Sequence, residues 1–310
     1  LLGGSVLVCN NKKILLTGCT GFIGKWLISS LLHYQKLTGC PYTLHVLTRD
    51  KERLYQNKYI DFTNQSIHVI QSDIREMSLN CNYDYLVHGA TSASAELNEK
   101  DPIEMFSVVV DGTKRILSEL KKTKFTGRAL NLSSGAIYGV QDSNIEYIKE
   151  SERFAPDTSN ALHAYAEAKR SSESLFALYS KKYNLKYANA RIFALLGPML
   201  SLDIHFAAGN FIDNALKKEK IVVKGNGKPV RSYLYPTDLV LWMLFLLVDD
   251  NTSGSYNLGS KECVSISKLA DMIASKYHSS YVVEDKKDVG WNTSRYVPDN
   301  NKIISCSGIQ

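Results

Sequence analysis

The sequence predicts an α/β fold, a doubly wound parallel sheet with a smaller, interleaved α/β domain, and three observations predict it. Short apolar runs alternate with longer helical patterns from residue 12 to about residue 195. Three glycines, Gly18, Gly21 and Gly24, join the first such run to the first such helix. Beyond Gly197-Pro198 the rhythm gives way to polar loops, paired glycines (Gly225, Gly227) and shorter elements.

In chain order, Lys13–Leu16 reads as a strand, Gly24–Tyr34 as a helix and Thr43–Leu47 as a strand. Strands at Ser66–Gln71 and Tyr85–His88, a helix over Pro102–Lys121 and a strand at Ala129–Leu132 follow. A helix at Ala164–Tyr183 leads to a strand at Lys186–Ile192. Near-continuous apolar strands separated by helices argue for a parallel sheet covered on both faces. A later helix, Pro236–Val248, carries Thr237 and Asp238 near its start, and a last one runs over Ser267–Lys276. The sheet domain is expected over 1–195, joined by part of 236–260, with the smaller domain mainly in 196–310.

At 310 residues, 44% hydrophobic and 22% charged, the chain has the composition of an ordinary globular protein, and wholesale disorder is excluded. No apolar run reaches the ~18 residues that span a bilayer, so Leu239–Val248 reads as a buried helix and no membrane partner is expected. The first residues lack a signal-peptide layout, and the start at Leu1 suggests missing upstream residues. A net charge of +6 without a Lys/Arg stripe speaks against nucleic acid and allows a small polyanion. Six scattered cysteines, with no C-x-x-C pair, suggest neither a metal site nor a disulfide framework, and fit a reducing cytoplasm.

The segment Ile14-Leu-Leu-Thr-Gly18-Cys-Thr20-Gly21-Phe22-Ile23-Gly24 is the most informative. The first glycine permits a tight turn, the second admits a pyrophosphate against the backbone, and the third lets helix and strand approach. The N–H groups that open the helix then face the phosphates. The G-x-x-G-x-x-G spacing resembles the short-chain dehydrogenase/reductase superfamily, which has a Rossmann fold, and Phe22-Ile23-Gly24 narrows it to the extended, nucleotide-sugar-modifying epimerase/dehydratase branch. The resemblance covers about residues 12–304 and implies a nicotinamide cofactor, a nucleotide-diphosphate sugar, a homodimer built on the helices Pro102–Lys121 and Ala164–Tyr183, and a C-terminus that looks shortened here. Its cofactor loop is Gly18, Thr20, Gly21, Phe22, Ile23 and Gly24.

At the end of the second strand the acid that would hold an unphosphorylated ribose is replaced by Thr48, followed by Arg49, whose guanidinium can grip a 2′-phosphate. NADP(H) is therefore expected ahead of NAD(H), although a one-residue shift would bring Asp50 to the acidic position. The resemblance places Asp73 and Ile74 around the adenine, and Ala90, Thr91 and Ser92 under the phosphates and ribose. His88 reads as packed.

Tyr165 and Lys169 stand four apart in a helical pattern and share a face. A phenol must fall by about 3 units, about 4 kcal/mol, to work near neutral pH, and a neighbouring ammonium supplies a contribution of that order. Asn131-Leu-Ser133-Ser134-Gly-Ala-Ile-Tyr138-Gly139 resembles the family's Ser-Ser-x-x-x-Tyr-Gly signature. The implied roles are Tyr165 as general acid/base, Lys169 as pKa tuner and ribose ligand, and Ser134 as donor to the reacting oxygen. The resemblance implies Asp-Glu where Gly135 and Ala136 stand in the family's 4,6-dehydratases and an acid at the Ala136 position in its glucuronate decarboxylases, which leaves hydride transfer alone here.

On the substrate side the resemblance implies Asn210, Phe211 and Val222 at the nucleotide, with Arg231 and Arg295 converging on the pyrophosphate. Ala194 and Val109 depart from the family's usual Asn at each position. The expected activity is NADPH-dependent reduction of a nucleotide-linked 4-keto-6-deoxy sugar; a 4-epimerase with a permanently held cofactor and a non-catalytic cofactor-sensing scaffold are the alternatives.

Overall fold

β1 (Lys12–Thr17) is apolar on both faces: Ile14 and Leu16 enter one core layer, Leu15 the other. The computed structural model describes residues 11–89, 100–142, 144–202, 206–284 and 294–309. Its large sheet has the order β3-β2-β1-β4-β5-β6-β9, every neighbouring pair parallel. The other strands are β2 (Tyr42–Thr48), β3 (Ile67–Gln71), β4 (Tyr85–His88), β5 (Arg128–Ser134), β6 (Lys186–Ile192) and β9 (Gly254–Leu258). The chain builds outward from β1 to β3, returns to β4 beside β1, and builds the other way. That reversal opens a crevice at the carboxyl ends of β1 and β4.

Helices cover both faces. α1 (Phe22–Thr38) and the apolar α6 (Pro236–Val248) pack on one side through Leu27, Ile28, Leu31, Leu239, Trp242 and Met243. α3 (Pro102–Lys122) and α4 (Ala164–Tyr183) pack on the other through Ile116, Leu117, Leu120 and Phe176. A short α2 (Lys51–Tyr55) follows β2. Among the described residues no helix is long and apolar enough to cross a membrane.

Past β6, α5 (Ala207–Leu216) and α7 (Ile266–Tyr277) pack on β7 (Ile221–Lys224), which pairs with β11 (Tyr281–Glu284). β8 (Val230–Ser232) lies between β10 (Cys263–Ser265) and β12 (Arg295–Tyr296), and α8 (Asn301–Ser307) ends the described chain. β9 escapes a reading of apolar runs because Ser255 and Asn257 interrupt it. Asn257 is fully buried, and its amide donates to the Ile148 and Asp299 carbonyls at 2.8 and 3.3 Å.

One buried cation joins sheet to helix. Arg128, 4% exposed at the start of β5, donates from Nε to the Leu246 carbonyl at 2.8 Å and from Nη2 to the carbonyl and hydroxyl of Thr252. α6 has no basic residue in its last turn, so Arg128 provides the positive charge its carboxyl end lacks. Arg128→Met removes the guanidinium donor from these buried acceptors, the Leu246 carbonyl keeping the Thr252 hydroxyl at 3.4 Å. It is expected to lower stability by about 3 kcal/mol, read as a lower urea midpoint at unchanged slope.

Candidate active site

The crevice is lined first by backbone. Gly18 follows β1 with φ +75°, a left-handed turn, and Gly21 caps α1 with no side-chain hydrogen bond to the helix's first N–H groups. A Cβ on Gly21 would meet only the Gly18 carbonyl at 3.6 Å, whereas one on Gly24 would lie 2.5 Å from the Cys19 Cα. The loop is thus open where a pyrophosphate needs room and closed where helix meets strand, which fits a dinucleotide. Thr20 is exposed, and Phe22 and Ile23 are half-buried. The Gly89 N–H donates to the Thr17 carbonyl and hydroxyl at 3.2 and 3.0 Å, drawing the end of β4 to that of β1. His88 is buried between the hydroxyls of Thr17 and Thr113, each 3.0 Å from a ring nitrogen, and burial pulls its pKa down to about 3. Ala90, Thr91 and Ser92 lie outside the described residues.

At the adenosine end, Thr48 is the last residue of β2 and is buried, while Arg49 is exposed just beyond it. Asp50, two residues past the strand end, is the N-cap of α2: its carboxylate accepts from the Arg53 N–H at 2.9 Å and is engaged there. Asp73 is held by Arg75, which donates to it from Nε at 3.0 Å and Nη2 at 2.9 Å while also gripping Glu104. These bonds, with Arg49 contributing, hold the Asp73 carboxyl below its usual range. Ile74 departs from expectation. It is 4% exposed, and a Cβ on Gly112 would meet its Cγ2 at 2.7 Å; its side chain fills the core under α3 and is not open to an adenine ring.

The three catalytic candidates meet where β5 and α4 face each other. Ser134, at the end of β5, accepts from the Ala136 N–H at 3.1 Å, and its hydroxyl lies near enough to Tyr165 to pull that phenol's pKa down. Lys169, one turn along α4, is buried and donates to the Leu132 carbonyl at 2.7 Å. Its ammonium stands 5.9 Å from the centre of the Tyr165 ring. The expected acidification of the phenol by Lys169 is absent from this state. Burial pushes the Tyr165 hydroxyl up, the Ser134 hydroxyl opposes it, and burial pulls Lys169 down to about 8.

The substrate-side residues are less closely grouped. Asn210 is exposed on α5, and Val222 is half-buried on β7. Phe211 departs from expectation, since its ring is 3% exposed and packs in the core of the smaller layer with Ile221 and Leu269. The two arginines do not converge. Arg231 pairs in register with Tyr296, so they share one face of the three-stranded sheet and the neighbouring Arg295 occupies the other. Arg231 donates to the Ser294 carbonyl at 3.0 Å, whereas Arg295 reaches the Glu146 carbonyl and the Cys263 sulfur.

Three features went unread in the sequence. Tyr296, on the Arg231 face, brings its hydroxyl to the turn at Gly135, 2.5 Å from where a Cβ there would lie; its place in the same segment as Arg295 is the only signal. Arg75 orients Asp73 from two residues away. Arg191 pairs with Glu173 at 2.8 Å and donates to the buried Tyr138 hydroxyl at 2.7 Å, bracing the turn that carries Ser134.

The buried Lys169 makes stability depend on pH with a definite sign. Below pH 8 the amine is charged in both the folded and unfolded chain, and folding bears its desolvation. Between 8 and 10.5 the folded chain sheds the proton that the unfolded chain keeps, so this contribution grows more favourable as pH rises. Relative to Lys169→Met, the wild-type chain is expected to gain up to about 3 kcal/mol across that window, measured by urea unfolding at a series of pH values; a constant difference refutes the assignment.

Comparison with known proteins agrees with this architecture. The chain is 27% identical over 290 residues to UDP-glucuronic acid decarboxylase 1 of Arabidopsis thaliana, covering 94% of this chain and 64% of that protein. It is 28% identical over 298 residues to UDP-glucuronic acid decarboxylase 1 of Xenopus tropicalis, covering 94% of this chain and 67% of that one. In fold it matches the UDP-glucose 4-epimerase of Thermotoga maritima solved with UDP-glucose, with a TM-score of 0.78 at 20% identity over 94% of this chain and 91% of the other. Residues 14–259 match the model of the NAD dependent epimerase/dehydratase family, and the chain belongs to that family.

Proposed function

We propose that this chain is a nicotinamide-dependent reductase of a nucleotide-linked 4-keto-6-deoxy sugar, with NADPH as its preferred reductant. The observation that carries the reading is the gathering of Ser134, Tyr165 and a buried Lys169, whose ammonium stands 5.9 Å from the Tyr165 ring centre, in a site where Gly135 and Ala136 offer no acid. By the family resemblance, elimination of water calls for carboxyls at both positions and loss of carbon dioxide for one at 136. Hydride transfer does not.

When bound, the reduced nicotinamide supplies the hydride to C4. Tyr165 gives its proton to the sugar O4 as that oxygen gains charge, and Ser134 donates a hydrogen bond that holds the oxygen in line. The Lys169 ammonium, anchored on the Leu132 carbonyl, stabilises the resulting phenolate and serves a ribose hydroxyl. Gly18, Gly21 and the opening turn of α1 hold the pyrophosphate of the cofactor, and Arg231 is the cation for the diphosphate of the sugar nucleotide.

The preference for the phosphorylated cofactor is supported by three neighbours. Thr48 ends β2 where an acid would stand, Asp50 is engaged in capping α2, and Arg49 is exposed beside them. Homodimerisation through α3 and α4 is supported by exposed Ile103, Phe106 and Leu178 on those helices.

Incubation with UDP-4-keto-6-deoxyglucose and NADPH is expected to consume reductant, and Tyr165→Phe to lower kcat by a factor of a hundred or more. Turnover of UDP-glucose without added cofactor replaces the reductase with an epimerase, and release of carbon dioxide from UDP-glucuronic acid overturns both. Arg49→Ala is expected to weaken NADPH binding about tenfold and leave NADH unchanged, as read by titration calorimetry.

A further inference from the structure

A guanidinium with all its N–H groups engaged stands at the outer end of the crevice. Arg75 donates from Nε to Asp73 Oδ1 at 3.0 Å and from Nη2 to Asp73 Oδ2 at 2.9 Å. It also donates from Nη2 to Glu104 Oε1 at 3.0 Å and from Nη1 to Glu104 Oε2 at 2.8 Å. The remaining Nη1 proton meets the Ser107 hydroxyl at 3.3 Å. An arginine side chain has five donors in one plane, and here each has an acceptor. Glu104 is itself placed by the first turn of α3, where its N–H is given to the N-cap carboxylate of Asp101 at 3.0 Å.

The clamp leaves Asp73 one way to meet a ligand. Its Oδ1 accepts the backbone N–H of Arg75 at 2.8 Å as well as Nε, whereas Oδ2 accepts Nη2. A carboxylate oxygen has two acceptor positions. Among the described residues Oδ1 has both filled and Oδ2 has one open, on a side chain that is 19% exposed. The bonds from Arg75 hold the carboxyl below its usual range, so it stays ionised and only accepts.

The sheet order says what lies before that oxygen. Asp73 stands two residues past β3. The ends of β3 and β2 are tied together, with the Ser72 N–H on the Thr48 carbonyl at 2.9 Å and the Gln71 amide on the Arg49 carbonyl at 3.3 Å. Neighbouring strands lie about 4.8 Å apart. A dinucleotide that begins with its pyrophosphate on the glycine loop and runs outward in the order β1-β2-β3 brings its ribose to β2 and its base to β3. An oxygen there that only accepts pairs with an exocyclic amine and repels an oxo group.

We propose that Arg75, anchored on Glu104, is a positioning residue that fixes the Asp73 carboxylate to accept from the 6-amino group of a purine, and so makes the site select adenine over hypoxanthine dinucleotides. The inference rests on the glycine loop holding a dinucleotide and is independent of the reaction that follows.

The full chain is titrated by calorimetry with NADPH and its hypoxanthine counterpart, and with NADH and its counterpart. In the pair it prefers, the wild-type chain is expected to bind the adenine form at least about tenfold more tightly. Arg75→Met is expected to bring that ratio within about threefold, with most of the change in the adenine form. Loss of a merely structural residue weakens both forms alike, so an unchanged ratio in Arg75→Met overturns the proposal. Glu104→Ala leaves the fork on Asp73 in place and is expected to lower the ratio by a smaller factor. Where Arg75→Met does not fold, an unchanged ratio in Glu104→Ala overturns the proposal instead. Asp73→Asn is expected to abolish the preference, because its amide also donates to an oxo group; a wild-type ratio there removes the base from Asp73 and the clamp's role with it. A wild-type chain that binds none of the four dinucleotides refutes the cofactor reading and the proposal together.

Discussion

Lys169 donates to the Leu132 carbonyl at 2.7 Å, and through that bond α4 is held against the end of β5. Leu132 lies two residues before Ser134, and Lys169 one helical turn after Tyr165, so a single anchored ammonium sets the distance between the two hydroxyl-bearing segments. The anchor is buried, and burial pulls the amine down to about 8. A charge kept in a dry place at that cost is a charge placed for use: its field acts on neighbouring groups with little screening from water. His88, close enough to feel it, is kept neutral.

Behind this anchor stands a layer of polar side chains that keeps the turn after β5 from moving. The Tyr138 hydroxyl donates to the Asn257 side-chain oxygen at 2.9 Å and accepts from Arg191 at 2.7 Å, while Arg191 is clamped by both carboxylate oxygens of Glu173. Asn257 then donates to Ile148, whose backbone bridges to Pro298 beside β12. The network runs from the large sheet through β9 to the smaller layer, so β5, β6, β9 and the segment carrying Tyr296 behave as one braced unit. Fully satisfied buried networks of this kind specify a single arrangement, since any partial one leaves desolvated groups unpaired.

Much of the large sheet was legible because its strands are short apolar runs and its helices carry the 3.6-residue period. The cofactor loop was legible because close approach and positive φ demand glycine, and Gly18 and Gly24 each answer one of those demands. The missed strands are short or polar: β9 holds a buried asparagine, and β8, β10 and β12 have two or three residues each. Such segments acquire their structure from their neighbours. Ile74 and Phe211 were misplaced for a related reason, since a local motif does not show which side chain a helix or core has already covered.

From the residues alone came the parallel sheet, the open glycine loop and the Tyr165–Lys169 pair, because each depends on spacing within a few residues of chain. What tertiary structure alone decided is where groups distant in sequence meet. Pleating sends Arg231 and Arg295 to opposite faces of one small sheet, although both read as phosphate ligands. Parallel pairing of β12 with β8 brings Tyr296 back across the chain to the turn after Ser134, and packing against Phe193 turns its hydroxyl into the space above Gly135. Register and packing are long-range properties, and no run of neighbouring residues encodes them.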